Sequence, residues 1–63
     1  MKVIKIVFGN TYYLTDRFWS TFAMTNNDWT GIEDNGKVFT NSEAVAIMQQ
    51  LNYNYPNDLY EVK

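Results

Sequence analysis

A chain of 63 residues that contains no cysteine must be held together by one small hydrophobic core. At this length, folding buries only about 60% of the surface that the unfolded chain exposes, so stability is marginal. Disulfides cannot add to that stability, and metal sites built on thiolates are excluded. Hydrophobic residues still make up 46% of the chain, including five tyrosines, four phenylalanines and two tryptophans. We therefore expect a single ordered domain over residues 1–63.

The beginning of the chain has the pattern of a β-hairpin. Residues 2–8 are rich in β-branched and aromatic side chains, residues 11–17 are typical of a returning strand, and Gly9-Asn10 is a two-residue turn signal. This turn would place Ile6 opposite Tyr13. One face of the hairpin then carries Ile4, Ile6, Phe8 and Tyr13. The other face carries Val3, Lys5, Val7, Tyr12, Leu14 and Asp16.

Further strands are predicted in the middle of the chain. The alternating side chains of residues 18–24 predict a third strand or an extended sheet edge. Asn35-Gly36 is the dipeptide most favoured in type I′ turns, and it separates two segments of strand character, residues 29–34 and 37–40. We expect these segments to form a second hairpin in which Asp34 faces Lys37.

The clearest pattern is that of a helix over residues 41–52. Thr40 and Glu43 have the spacing of a capping box. Behind this cap, one apolar stripe at helical spacing consists of Ala44, Ile47, Met48 and Leu51. Pro56 lies in a turn, and Leu59–Val62 closes the chain as a short strand. The predicted fold is α+β, with an antiparallel sheet of about five strands and one helix on one face.

The helix can cover only one face of this sheet, which leaves the other face as a candidate binding surface. We expect the helix to cover the face of Ile4, Ile6, Phe8 and Tyr13, because that face carries no charge. The exposed candidates for partner binding are then Val3, Val7, Tyr12 and Leu14. The alternative is that residues 18–24 fold back and bury this second face.

A second candidate for partner binding is the acidic half of the chain. Residues 33–63 carry a net charge of −3, whereas residues 1–32 carry +1. An acidic face can dock a basic partner, although such a face is also typical of a merely soluble surface. The candidate residues in this half and at its border are Asp28, Glu33 and Asp34.

The residues that catalysis and cofactor binding usually require are missing. The chain has no histidine, so neither Ser20 nor Ser42 has the usual base to activate it. Glu33 and Asp34 are adjacent, so on a strand they point to opposite faces and cannot act as a pair. The acidic residues also lack the spacing of a calcium loop. We expect no enzymatic activity, no metal site and no cofactor.

Charge and hydropathy also narrow the range of partners. Only five basic residues oppose seven acidic ones, and the sequence pI is about 4.7, which disfavours nucleic acid as a partner. Lys5 interrupts the first apolar run too early for a secretory signal, and no run reaches the roughly 20 residues that span a bilayer. We expect a cytoplasmic protein that does not bind membranes.

The second half of the chain resembles a layout that recurs among short proteins encoded by phages and prophages. The resemblance covers a little over half the chain and consists of Trp29, Lys37-Val38-Phe39-Thr40, Ser42-Glu43-Ala44, Leu51-Asn52 and Tyr60-Glu61-Val62. This class includes anti-CRISPR proteins, which inhibit host defence. The resemblance implies that functional class and assigns a role to no particular residue.

These observations lead to one functional hypothesis and one alternative. The hypothesis is a non-enzymatic inhibitor from a phage or mobile element that binds a host protein in the host cytoplasm, with a CRISPR effector nuclease as the most concrete target. The alternative is a small structural or regulatory module that works as a homodimer or binds single-stranded nucleic acid.

Overall fold

The computed structural model describes residues 1–15 and 28–63, and these residues form one antiparallel sheet with one helix. The strands are β1 (Val3–Val7), β2 (Asn10–Leu14), β3 (Trp29–Thr30) and β4 (Leu59–Val62), in the spatial order β3-β2-β1-β4. Helix α1 spans Asn41–Asn54. The α+β class is confirmed, with four strands in the described residues rather than about five. The strand predicted for residues 18–24 lies outside them.

The turn of the first hairpin consists of Phe8 and Gly9, not of Gly9 and Asn10. Both turn residues have positive φ, 49° at Phe8 and 80° at Gly9, as a type I′ turn requires. The predicted register was therefore wrong by two residues, and Ile4 rather than Ile6 lies opposite Tyr13. Because the shift is even, the side chains of β1 and β2 keep their predicted faces. The shift brings Leu14 to the end of the sheet where Val3 lies, and both side chains are fully buried there.

The second predicted hairpin does not form. Residues 33–35 make a single 3₁₀ turn, and Gly36 has an extended φ of −71° instead of the positive φ of a type I′ turn. The backbone beyond it pairs with the ends of β1 and β2: Lys37 N–H donates to the Leu14 carbonyl at 2.9 Å, and Phe39 N–H donates to the Met1 carbonyl at 2.6 Å. These bonds replace the ladder that a hairpin would supply.

The helix prediction is confirmed at its start and in its buried stripe. The Thr40 hydroxyl accepts the Glu43 N–H at 3.2 Å, and the Glu43 carboxylate accepts the Thr40 N–H at 3.0 Å. This capping box satisfies two amides that have no partner within the helix. The helix continues two residues beyond the predicted Asn52. Its buried residues are Ala44, Ile47 and Leu51, and Met48 is half-buried.

The helix packs on the opposite face of the sheet from the predicted one. The core cluster consists of Val3, Leu14, Trp29, Phe39, Ala44, Ile47, Leu51 and Tyr60. The expectation that the helix covers the face of Ile4, Ile6, Phe8 and Tyr13 was therefore wrong, and Phe8 lies in the turn, 99% exposed. The prediction rested on the charge of Lys5, but Lys5 is accommodated on the core face by the ring of Trp29, 4.6 Å from its ammonium.

Candidate protein-binding surface

Helix α1 covers the core face of the sheet only in part. It packs mainly on β4, with fewer contacts to β1. Towards the tip of the first hairpin, the same face forms a groove of about 360 Å³, and its described lining residues are Lys5, Val7, Tyr12, Trp29 and Gly31. Binding pockets for small ligands and side chains begin at about this volume. We refer to these five residues as the groove.

The groove combines aromatic walls with one positive charge. The Lys5 ammonium lies over the Trp29 ring, whose other contacts include a stacked arrangement with Tyr60 at 6.3 Å between ring centroids. Lys5 is also the register partner of both Tyr12 and Tyr60 on the two neighbouring strands. Among the described lining residues, Lys5 carries a charge and the others are uncharged. An occupant with an apolar body and negative or aromatic character fits this chemistry.

Phe8, at the tip of the same hairpin, directly follows the groove residue Val7. Its side chain is 99% exposed, so it contributes nothing to the core. Its backbone has a φ of 49°, in the left-handed region that costs about 1–2 kcal/mol for a residue with a side chain. Phe8 is thus unfavourable for the fold through both its backbone and its exposure.

Of the acidic candidates, Glu33 lies on the other side of the sheet. Glu33 and Asp34 are exposed, and the Glu33 carboxylate accepts a hydrogen bond from the Tyr13 hydroxyl at 3.3 Å. Desolvation and the Glu33 carboxylate raise the pKa of the Tyr13 phenol above its usual value. The backbone carbonyl of Glu33 accepts a hydrogen bond from the Lys2 ammonium at 2.6 Å. Because Tyr13 belongs to the face opposite the groove, the structure does not bring the two candidate regions together.

Three of the predicted binding residues are buried. Val3 and Leu14 are fully buried in the core cluster, so the expectation that they are exposed was wrong. Asp28 is also fully buried, and its carbonyl accepts hydrogen bonds from the Thr15 N–H and hydroxyl, at 2.9 and 3.1 Å. The next residue, Trp29, also belongs to the core cluster.

Two predicted residues, Val7 and Tyr12, are half-buried and line the groove. Sequence reasoning missed the other contributors to this surface, which are Lys5, Phe8, Trp29 and Gly31. A signal for Phe8 was present, because Phe8-Gly9 places a glycine at the second turn position and demands positive φ from the residue before it. No comparable signal in the sequence places Trp29 beside Lys5.

Comparison with known protein families, with curated proteins and with solved structures found no match to this chain. Within residues 1–15 and 28–63, no group of three or more acidic side chains is placed to hold a metal ion. In the same residues, no helix has the length and apolar character needed to cross a membrane.

Proposed function

We propose that this chain is a non-enzymatic protein-binding inhibitor encoded by a phage or another mobile element. It acts in the host cytoplasm by occupying the surface of a host defence protein, of which a CRISPR effector nuclease is the most concrete candidate. The resemblance of the second half of the chain to short phage proteins motivates the source and the target. The position of Phe8 carries the argument for protein binding.

Phe8 supports binding because its present position stabilises nothing within the chain. An asparagine in its place would adopt the same backbone more easily and would not expose an aromatic ring to water. Aromatic side chains are enriched at protein interfaces, where burial in a partner's pocket compensates for exposure in the free protein. The ring at 99% exposure is thus suited to anchor a partner.

The groove beside Phe8 supports the same interpretation. Val7 and Tyr12 form its apolar wall and Lys5 supplies its charge, so partner atoms next to an anchored Phe8 would meet both kinds of surface. A surface with an aromatic anchor and an adjacent partly apolar groove has the composition of an interface centre with a polar rim.

The test uses a substitution that improves the fold and removes the anchor. Phe8→Asn leaves Asn-Gly at the turn, so we expect equal or greater stability, by up to about 1 kcal/mol. The matched control is Tyr53→Asn, since Tyr53 is an aromatic residue 86% exposed on α1 with ordinary helical backbone. Both variants are compared with the original chain for protection of a plasmid in bacteria with active CRISPR interference, and for retention of the purified effector nuclease.

The original chain and Tyr53→Asn are expected to protect the plasmid and retain the nuclease, whereas Phe8→Asn does neither. The proposal is wrong if the original chain neither protects the plasmid nor retains the nuclease. Full protection by Phe8→Asn would show that binding does not use the hairpin tip. A salt-dependent gel shift of single-stranded DNA by the original chain would instead favour the nucleic-acid alternative.

A further inference from the structure

Strand β4 forms one edge of the described sheet, and the direction of its backbone groups follows from its hydrogen bonds. Lys2 and Lys63 exchange two backbone hydrogen bonds, at 2.7 and 2.8 Å. Hydrogen-bonded pairs alternate along an antiparallel ladder, so Glu61 and Leu59 are the next residues bonded to β1. Tyr60 and Val62 alternate with these bonded residues, so their N–H and C=O groups point away from β1.

Strand β4 has few of the features that protect the edge of a sheet from pairing with another strand. The opposite edge, β3, is only two residues long, and short edge strands resist pairing. Strand β4 has four residues, contains no proline, and pairs with β1 in a continuous register without a bulge. Among the described residues, no further strand lies beyond it. The outward backbone groups of Tyr60 and Val62 are thus a template for an added strand.

The side chains of β4 indicate what kind of strand it can accept. Leu59 and Glu61 are both exposed on the face opposite the helix. The exposed fraction of the Leu59 side chain is 60%. An antiparallel second copy that used all the outward groups would pair Tyr60 with the second copy's Val62, and would set Glu61 opposite the second copy's Glu61. Like charges directly opposite each other are destabilising. Glu61 therefore disfavours self-pairing and favours a basic residue at that position.

We propose that β4 binds an extended segment of a partner protein by strand addition, with a lysine or arginine opposite Glu61 and an apolar residue opposite Leu59. The outward backbone groups supply the affinity, and the carboxylate of Glu61 selects the charge. This inference rests on the proposed function, because it names the chemistry of the bound host protein. It concerns an edge of the sheet that Phe8 and the groove do not share.

The test uses peptide probes, so it does not depend on the host target. The basic probe is the acetylated and amidated peptide Val-Thr-Lys-Thr-Val, which places a valine opposite Leu59 when its lysine lies opposite Glu61, and the control probe carries Glu in place of Lys. Backbone hydrogen exchange is followed by NMR. Without peptide, the amides of Tyr60 and Val62 should exchange quickly and that of Glu61 slowly. The basic peptide should slow exchange at Tyr60 and Val62, and should bind about two- to fivefold more tightly than the acidic one.

Two variants test the role of the Glu61 charge and of the outward N–H of Val62 separately. Glu61→Lys should reverse the preference between the two peptides. Val62→Pro removes an outward N–H that β1 does not use, so it should abolish binding and leave the β1 pairing intact. The inference is overturned if neither peptide slows exchange, if Glu61→Lys leaves the preference unchanged, or if exchange slows with protein concentration alone, which would identify a second copy as the occupant. If the original chain binds the basic peptide but does not protect the plasmid, only the inhibitor proposal is overturned.

Discussion

The Lys5 ammonium lies 4.6 Å from the centroid of the Trp29 ring, on the face of the sheet that carries the core. A lysine over an aromatic face gains a favourable electrostatic interaction and keeps its aliphatic stem in apolar contact. This contact shows how a charged side chain is accommodated on the face that carries the core.

The Lys5–Trp29 contact can be measured by substitution. Lys5→Met keeps a stem of similar shape and removes the charge, so the free energy of unfolding should fall by about 0.5–1 kcal/mol. The exposed Lys63 serves as the control, and Lys63→Met should change stability by less than about 0.5 kcal/mol. Urea denaturation provides the comparison. Equal effects of the two substitutions would mean that the Trp29 ring does not stabilise the cation.

The two faces of the first hairpin could be predicted from the sequence, but the covered face could not. The alternation of side chains assigned each residue to its face, and an even error in the register left that assignment intact. The charge of Lys5 on β1 spoke against the face that is in fact covered, and its partner Trp29 on β3 lies 24 positions away in the chain. Local patterns contain no information about such a contact.

Gly36 should tolerate alanine poorly, although its backbone is ordinary. A Cβ at this position would lie 2.8 Å from the Tyr13 Cβ and 3.3 Å from the Glu33 carbonyl oxygen, so the backbone would have to shift. We expect Gly36→Ala to destabilise the protein by about 1–3 kcal/mol. At Gly31 a Cβ would meet nothing within 4 Å, and Gly31→Ala should be neutral or stabilising by up to about 1 kcal/mol. Thermal unfolding of both variants tests this difference, and similar melting temperatures would contradict it.

The same glycine shows why the second hairpin was predicted wrongly. Asn35-Gly36 is a strong turn signal, and it assumes that the glycine is needed for positive φ. In the structure the glycine is needed for close approach to Tyr13, a residue of the first hairpin. The helix was predicted correctly because its signals, the cap and the apolar stripe, both lie within residues 40–51.

The cap of α1 should contribute measurably to stability. Thr40→Ala removes the hydroxyl that accepts the Glu43 N–H, and should cost about 1 kcal/mol. The hydrogen bonds with Thr40 lower the pKa of the Glu43 carboxyl, so its contribution to stability is present above its unfolded pKa and is lost as the pH falls. Thr40→Ala keeps the backbone N–H that contributes most to this shift, so the charge is tested by denaturation of Glu43→Gln, whose stability difference from the original chain should shrink between neutral and acidic pH. A constant difference would exclude a role of the Glu43 charge.

The apolar stripe of α1 should contribute more than the cap. Leu51 is 1% exposed, and Leu51→Ala should cost about 2–5 kcal/mol through lost burial and a cavity. Val45, which is 44% exposed on the same helix, is the control, and Val45→Ala should cost well under 1 kcal/mol. Urea denaturation separates the two. A loss at Leu51 no larger than that at Val45 would contradict the packing of α1 on the sheet.

Alkaline pH should destabilise the fold through Tyr60. Desolvation, with a smaller contribution from the Asp58 carboxylate, raises the pKa of the Tyr60 phenol from 10.0 to about 12. In the folded protein the Tyr60 phenol therefore keeps its proton at a pH where the same phenol in the unfolded chain has lost it. Stability is fully present below pH 10 and should fall as the pH rises towards 12. The Tyr60 hydroxyl donates to the Tyr55 carbonyl at 3.2 Å, and ionisation would remove this bond.

Tyr60→Phe isolates this effect, because it keeps the ring that stacks on Trp29 and removes only the ionisable hydroxyl. The variant should be less stable than the original chain at neutral pH, by about 1 kcal/mol for the lost hydrogen bond. Its stability should also decline less steeply above pH 10. The pKa of the Tyr13 phenol is raised as well, so the stability of Tyr13→Phe is measured over the same pH range to separate the contributions of the two phenols. If Tyr60→Phe loses stability as steeply as the original chain between pH 10 and 12, the alkaline transition does not arise from Tyr60.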